Sequence, residues 1–113
     1  MKVFFSFLFL CLLVACSNPF DTSIDVRYEV IGSAEAVSIT YENGGGGISQ
    51  VTNVGLPWSH SLSAEPGDYV YLHAQNLGET GSITVTIYQN GDVFKRATSA
   101  GAYVIVSISG DLE

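Results

Sequence analysis

Residues 83–98 decide the fold class, and they read ITVTIYQNGDVFKRAT. The first six alternate between β-branched apolar residues and Thr or Tyr, which is the pattern of a half-buried strand. Asn90-Gly91 follows, and a type I′ turn needs a positive φ at both of its central positions, which Asn and Gly tolerate best. Residues 93–98 can then pair back. The stretch therefore predicts an antiparallel β-hairpin.

The same period of two recurs, in places weakly, through the rest of the chain from residue 24 onward. The further segments that we predict as strands are residues 24–30, 37–42, 48–53, 58–63, 69–75 and 103–109. Asn43 and the four glycines after it predict a flexible turn, and no segment has a helical period. We predict an all-β fold for residues 24–113, an immunoglobulin-like antiparallel β-sandwich of seven or eight strands. Trp58 is then the expected large side chain of the core.

Composition excludes several classes of function. The chain has 113 residues, with 11 Asp+Glu against 4 Lys+Arg and a formal net charge of −7. This length allows one small domain. The acidic excess argues against a nucleic-acid partner and against electrostatic docking on anionic lipid headgroups, because both require clustered cations. After residue 16 there are twelve Gly, five Leu and no Met, which disfavours a helical bundle.

Residues 1–15 predict a cleaved lipoprotein signal peptide. Lys2 supplies the positive charge, and the apolar run that ends at residue 16 is shorter than the roughly 20 residues of a membrane-spanning helix. The tetrapeptide LVAC, residues 13–16, resembles the lipobox of bacterial lipoproteins. This resemblance implies acyl chains on Cys16 that hold the protein to a membrane. The alternative is an ordinary secretory signal in which Cys16 is incidental.

The acylated cysteine and a tether are predicted to occupy residues 16–23. Because Cys11 would leave with the signal peptide and Cys16 would carry lipid, the mature domain would have no disulfide. Residues 17–23 span roughly 25 Å when fully extended, so the domain is expected to stay close to the membrane. Ser17 directly after the cysteine is compatible with outer-membrane sorting. We expect an envelope lipoprotein that faces the periplasm or the cell surface.

The sequence has no motif for catalysis or cofactor binding. It has no P-loop, no zinc-site spacing and no GxGxxG after a strand. His60 and His73 are the only imidazoles, whereas a metal site needs three or four converging ligands. Ser59, His60 and Asp68 could be written down as a triad, but no GxSxG elbow marks a nucleophile. We predict no metal, no cofactor and no enzymatic activity.

The candidate partner surface consists of Tyr69, Tyr71 and His73, which share one face of a predicted strand. The other face carries the better core candidates, Val70, Leu72 and Ala74. Tyrosine supplies amphipathic contact area at a low cost in side-chain entropy, so such a strip suits contact with a protein or a glycan. The alternative is that the second sheet covers the strip and the apolar face points outward.

Several motifs carry a family resemblance over residues 26–110. They are Tyr28-Glu29-Val30 with Gly32, residues 37–41, the block QVTNVGLPW at residues 50–58, Ala74-Gln75 and Asn90-Gly91. These pieces resemble the MmpS family, the small accessory proteins of MmpL-type lipid and siderophore transporters. The resemblance implies a non-catalytic accessory role. Family members usually begin with a membrane-spanning helix, and many carry a cysteine pair in the last strands, where this chain has residues such as Val85 and Ser107.

The sequence thus favours a lipid-anchored β-sandwich of the cell envelope that acts as a non-catalytic binding or accessory module. Its partners would be the membrane, through the acyl chains on Cys16, and a protein such as a transporter or another envelope component. The alternative is a structural envelope protein without a small ligand. A ligand-binding module would have a concave apolar pocket, whereas a packing module would expose a flat aromatic or edge-strand surface.

Overall fold

The computed structural model describes residues 23–113, so the predicted signal peptide, the predicted acylation site Cys16 and most of the predicted tether lie outside the described residues. The described chain forms eight strands, all of them paired antiparallel. They are β1 Ile24–Ile31, β2 Val37–Glu42, β3 Ile48–Val54, β4 Trp58–Ala64, β5 Tyr69–Asn76, β6 Ser82–Gln89, β7 Asp92–Ala100 and β8 Ile105–Asp111. The predicted strands agree with these to within one or two residues at their ends. The last strand begins at Ile105 and not at Tyr103, because Tyr103 has a φ of 53° and lies in the turn before β8.

The strands form two four-stranded sheets that share one core. Sheet A has the order β4-β1-β6-β7, and sheet B has the order β3-β2-β5-β8. The apolar sides of both sheets contribute to a single cluster of buried residues. The predicted all-β sandwich is therefore confirmed, with eight strands. Its strand order differs from the ABED and CFG sheets of an immunoglobulin constant domain, so the two folds share their architecture and not their connections.

The hairpin at residues 83–98 forms as its sequence predicts. Asn90 and Gly91 both have a positive φ, of 51° and 87°, and Gln89 pairs with Asp92 across the two-residue turn. The tip of the hairpin is also fixed to β1. The Asn90 backbone N–H donates to the Asp25 carbonyl at 2.8 Å, and the Asp25 backbone N–H donates to the Asn90 side-chain oxygen at 2.9 Å.

The four inner strands supply the centre of the core. Tyr28 on β1 is the largest of the fully buried side chains, and the aliphatic residues of β1, β2, β5 and β6 surround it. Its hydroxyl donates to the backbone carbonyl of Glu42 at 2.7 Å, which joins sheet A to sheet B. The Tyr41 ring lies 5.6 Å from the Tyr28 ring, between centroids. A polar group at this depth is tolerated because it has a hydrogen-bond partner.

Trp58 is not the central side chain of the core, so that prediction is wrong. It lies on β4, an edge strand of sheet A, and it is half-buried where it packs against the cluster. Its ring contacts Tyr41, with 5.3 Å between centroids. The period of two identified the inward face of β4 correctly. An edge strand, however, has a neighbour on only one side, so its inward side chains remain partly open to solvent.

The side of the sandwich where β7 and β8 meet is closed by an aromatic ring. The β6–β7 register shifts between Ile87 and Tyr88, which leaves Phe94 as the extra residue of a β-bulge. Phe94 packs against the core and lies over Gly110 of β8. A Cβ at Gly110 would lie 3.1 Å from the Phe94 ring, so glycine is the residue that permits this close approach.

The two aromatic positions should differ in their effect on stability. We expect Tyr28→Ala to lower the free energy of unfolding by about 3–5 kcal/mol, the usual loss for a large buried aromatic side chain. Trp58→Ala should lower it by clearly less, because this ring already contacts solvent. Urea unfolding of both variants, monitored by circular dichroism, measures the difference. An equal or larger loss for Trp58→Ala would contradict this account of the core.

Burial also makes stability depend on pH through Tyr28. Desolvation raises the pKa of the Tyr28 phenol above its ordinary value. The Tyr28 phenol therefore ionises more readily in the unfolded protein, where its pKa is about 10, than in the folded protein. The free energy of unfolding is thus unaffected by this group below about pH 10 and decreases as the pH rises further. We expect the free energy of unfolding to decrease more between about pH 9 and pH 11 in the wild type than in Tyr28→Phe. Identical pH profiles for the two proteins would contradict this assignment.

Candidate functional site

Sheet B places an aromatic strip on its outer face, as the alternation along β5 predicts. Val70, Leu72 and Ala74 are fully buried, whereas Tyr69 exposes 51% of its surface. Tyr71 and His73 are half-buried, and their rings are stacked with 6.2 Å between centroids and 23° between planes. The alternative arrangement, with the strip covered by the second sheet, is therefore wrong. We call Tyr69, Tyr71 and His73 the β5 strip.

Small hydroxyl side chains flank the β5 strip on both neighbouring strands. On β2, Thr40 pairs with His73. On β8, Ser109 pairs with Tyr71, and Ser107 pairs with His73. Residues directly opposite each other in a sheet share a face, so these short side chains leave the larger rings raised above the surrounding surface. The outer face of sheet B is therefore an aromatic ridge bordered by hydrogen-bonding hydroxyl groups.

A groove of about 370 Å³ adjoins the Tyr69 end of the strip. Its lining residues are Glu42, Gly44, Gly46, Ile48, Asp68 and Tyr69. Ile48 exposes 59% of its surface. The groove thus extends the aromatic ridge into a surface that combines one exposed aliphatic side chain with carboxylates.

One wall of this groove is the loop that joins β2 to β3, and the Glu42 carboxylate holds it in place. Oε1 accepts a hydrogen bond from the Gly44 backbone N–H at 2.9 Å, and Oε2 accepts one from the Gly46 backbone N–H at 3.0 Å. The Asn43 side-chain oxygen accepts another from the Gly45 N–H at 3.2 Å. The predicted turn at the glycine run is therefore present, and its backbone N–H groups are hydrogen-bonded to the side chains of Glu42 and Asn43.

Charge is divided unequally between the two sheets. Among residues 23–113, the three cationic side chains belong to strands of sheet A: Arg27 on β1, and Lys95 and Arg96 on β7. Glu42 and Asp68 line the groove, and Asp111 is the pairing partner of Tyr69. The Tyr69 end of the strip is consequently an anionic aromatic surface, which would complement a partner with basic groups.

The structure does not assemble the residues that could be written as a triad. Ser59 and His60 are neighbours on β4 and point to opposite sides of the sheet. His60 points inward, with its ring 4.8 Å from Tyr41 and stacked on Trp58 at 6.3 Å, between centroids. Asp68 lies in the turn before β5, where its carboxylate accepts a hydrogen bond from the Glu65 backbone N–H at 2.9 Å.

Sequence reasoning did not identify Glu42, Ile48 or the glycine loop as parts of the site. A signal was available for Glu42, because the alternation along β2 places it outward, two residues before the first of the four glycines. The position of the groove beside Tyr69 could not be predicted from the local sequence, because it depends on the pairing of β2 with both β3 and β5. Within residues 23–113, no three or more His, Cys, Asp or Glu side chains form a group that could hold a metal ion.

The fold and this surface define a class of protein: an all-β module with an outward aromatic ridge and a neighbouring groove. The family model described as Mycobacterium membrane protein matches residues 13–109. The chain belongs to this MmpS-like family, which confirms the resemblance carried by the sequence motifs. A comparison with curated proteins found no match. In the described range, residues 23–113, no helix is long and apolar enough to span a membrane.

Proposed function

We propose that this protein is a lipid-anchored lipoprotein of the cell envelope that acts as a non-catalytic accessory module for a membrane transporter. The membership in a family of membrane proteins supports the envelope location and the accessory role. The lipobox at residues 13–16 supports attachment through acyl chains on Cys16. Under this proposal the domain faces the periplasm or the cell surface, and Ser17 favours the outer membrane.

The single observation that carries the proposed mode of action is the β5 strip. Three ring-bearing side chains stand together on one outward face of the domain, with Tyr69 exposing 51% of its surface, and contact surfaces are enriched in aromatic side chains. The strip lies on the outer face of a sheet, and hydroxyl-bearing side chains lie opposite Tyr71 and His73. This shape fits a protein surface better than a small apolar ligand, which would require an enclosed pocket.

The negative charge at the Tyr69 end of the strip indicates what kind of partner surface would be complementary to it. Glu42, Asp68 and Asp111 surround this end, and the cationic side chains of residues 23–113 all belong to sheet A. A partner surface with Lys or Arg side chains opposite the groove and with apolar or aromatic groups opposite Tyr71 would be complementary in both respects. Such a contact should weaken as the salt concentration rises, because exposed charges are screened.

Replacement of both exposed tyrosines tests the partner surface. We expect Tyr69→Ser/Tyr71→Ser to retain the fold, since neither side chain belongs to the core, and to lose co-purification with the envelope protein that the wild type binds. The measurement is affinity purification from detergent-solubilised membranes after crosslinking. Tyr103→Ser is the matched control, because Tyr103 is also half exposed but lies in the turn before β8. Partner recovery that is equal in all three proteins would contradict the proposal.

Removal of the lipid attachment point tests the anchor independently. We expect Cys16→Ser to move the protein from the membrane fraction to the soluble fraction, because two or three acyl chains provide stable anchoring and their loss leaves no comparable attachment. Carbonate extraction followed by sedimentation measures the distribution. Cys11→Ser is the control, since this residue would be removed with the signal peptide. A Cys16→Ser protein that still sediments with membranes would disprove the lipid anchor.

A further inference from the structure

A second groove, of about 430 Å³, lies on the outer face of sheet A, on the opposite side of the sandwich from the β5 strip. Its lining includes Asp25, Arg27, Ser61, Ser63, Tyr88 and Gly91. These residues come from β1, from the edge strand β4 and from the β6–β7 hairpin. Val26 and Leu62 also line it, and the side chains of Asp25, Arg27, Ser61, Ser63 and Tyr88 can form hydrogen bonds with a polar ligand.

Arg27 is held in place within the groove while most of its donors remain free. Its guanidinium carbon lies 4.1 Å from the centroid of the Tyr88 ring, a cation–π geometry. Its Nη1 donates to Glu29 Oε2 at a long 3.5 Å, and this is its one side-chain hydrogen bond to residues 23–113. The Arg27 side chain is 44% exposed. A guanidinium has five N–H donors, so Arg27 can still bind a phosphate through two of them.

The Tyr88 ring beneath Arg27 is itself fixed by hydrogen bonds. Its hydroxyl donates to Glu29 Oε1 at 2.9 Å, and Arg96 Nη2 donates to this hydroxyl at 3.5 Å. Arg96 Nε also donates to Thr86 Oγ1 at 3.1 Å. Arg96 thus helps to hold the Tyr88 ring in place and is not a lining residue of the groove. The guanidinium of Arg27 is consequently presented on a rigid base, which reduces the entropy lost on binding.

The groove also presents a carboxylate at a suitable distance from this cation. Asp25 and Arg27 are two residues apart on β1, so they share a face and their Cα atoms lie roughly 7 Å apart. The two hydrogen bonds to Asn90 fix the backbone of Asp25. A ligand that carries a phosphate and an ammonium group would therefore meet a guanidinium at one end and a carboxylate at the other, with the hydroxyls of Ser61 and Ser63 nearby. Its phosphate would compete with Glu29, which forms a long ion pair of 3.5 Å with Arg27.

The position of the groove indicates where such a ligand would come from. Asp25 is the second residue of β1, and residues 17–23, which precede this strand, span at most roughly 25 Å. With Cys16 in the membrane, a step that rests on the proposed function, the groove reaches the headgroup region. The net charge of −7 opposes anionic lipid. We propose that this groove binds the zwitterionic headgroup of a phospholipid, with the phosphate on Arg27 and the ammonium on Asp25.

The soluble headgroup glycerophosphoethanolamine tests this site without the bilayer. The titration uses full-length Cys16→Ser protein in detergent, so that no acyl chain contributes, and it monitors backbone amide shifts by NMR. We expect saturable shifts at Arg27, Ser61 and Gly91, and roughly tenfold weaker binding in Arg27→Gln. Arg96→Gln is the matched control and should bind as the parent does. Thermal unfolding of each variant confirms that it is folded.

Two comparisons make the assignment specific. Asp25→Asn should weaken binding of glycerophosphoethanolamine and leave binding of glycerol phosphate unchanged or stronger. Wild-type protein on phosphatidylethanolamine vesicles should show protection of Arg27, relative to Arg96, from a guanidine-modifying reagent. The zwitterion site would be overturned if Arg27→Gln showed the same NMR shifts on titration as the Cys16→Ser parent. It would also be overturned if the parent bound glycerophosphoethanolamine and glycerol phosphate equally well. Binding of the soluble headgroup without protection on vesicles would overturn the lipid as its source. Because the titration does not depend on lipidation, it remains informative if the anchor is disproved.

Discussion

The hydrogen bond from the Tyr28 hydroxyl to the Glu42 carbonyl is the constraint on which both the core and the candidate site depend. The donor belongs to the largest fully buried side chain of the described residues, and the bond joins β1 in sheet A to the end of β2 in sheet B. The same Glu42 residue then uses its carboxylate to hold the backbone N–H groups of Gly44 and Gly46. The buried phenol thus fixes the backbone position from which the wall of the groove beside Tyr69 is built.

The alternation of side chains along the strands gives the two outer faces different chemistry. On sheet B the outward residues of β5 include Tyr69, Tyr71 and His73, and short hydroxyl side chains on β2 and β8 lie opposite Tyr71 and His73. On sheet A the outward residues of β1 include Asp25, Arg27 and Glu29, and Arg96 donates a hydrogen bond to the buried Thr86. The first face is suited to shape-based contact. The second is a network of charges held by specific hydrogen bonds.

Local sequence was sufficient for the strands and for which of their faces is buried, because both depend on a period of two within one segment. The Asn90-Gly91 turn is the clearest case, since its two positive φ values need no long-range information. Trp58 shows the limit. Its parity was read correctly, but its depth depends on β4 pairing with β1 alone, over a sequence separation that no local pattern encodes. Tyr28 occupies the centre of the core instead, because its strand β1 has a neighbouring strand on both sides.

The candidate site divides in the same way. The outward position of Tyr69, Tyr71 and His73 followed from the buried face of β5. The groove beside Tyr69 did not, because it forms only where the glycine loop after β2 meets the turn before β5. The glycine run was predicted as a turn, and the structure has one, but its hydrogen bonds to the Glu42 carboxylate were not part of that prediction. Side chains that accept hydrogen bonds from nearby backbone N–H groups can define the conformation of a glycine-rich loop.

The geometry of a two-layer sandwich makes the two proposed contacts compatible. Packed sheets lie about 10 Å apart, and their outer faces point in opposite directions. If the outer face of sheet A lies against the headgroups, the β5 strip on sheet B necessarily points away from the bilayer, where a protein partner can reach it. A tether of seven residues would keep the domain close enough for the first contact without restricting the second. Residues 23–113 contain no cysteine, so no disulfide lies within them, and a domain held on two faces would be stabilised further by whatever binds its folded state.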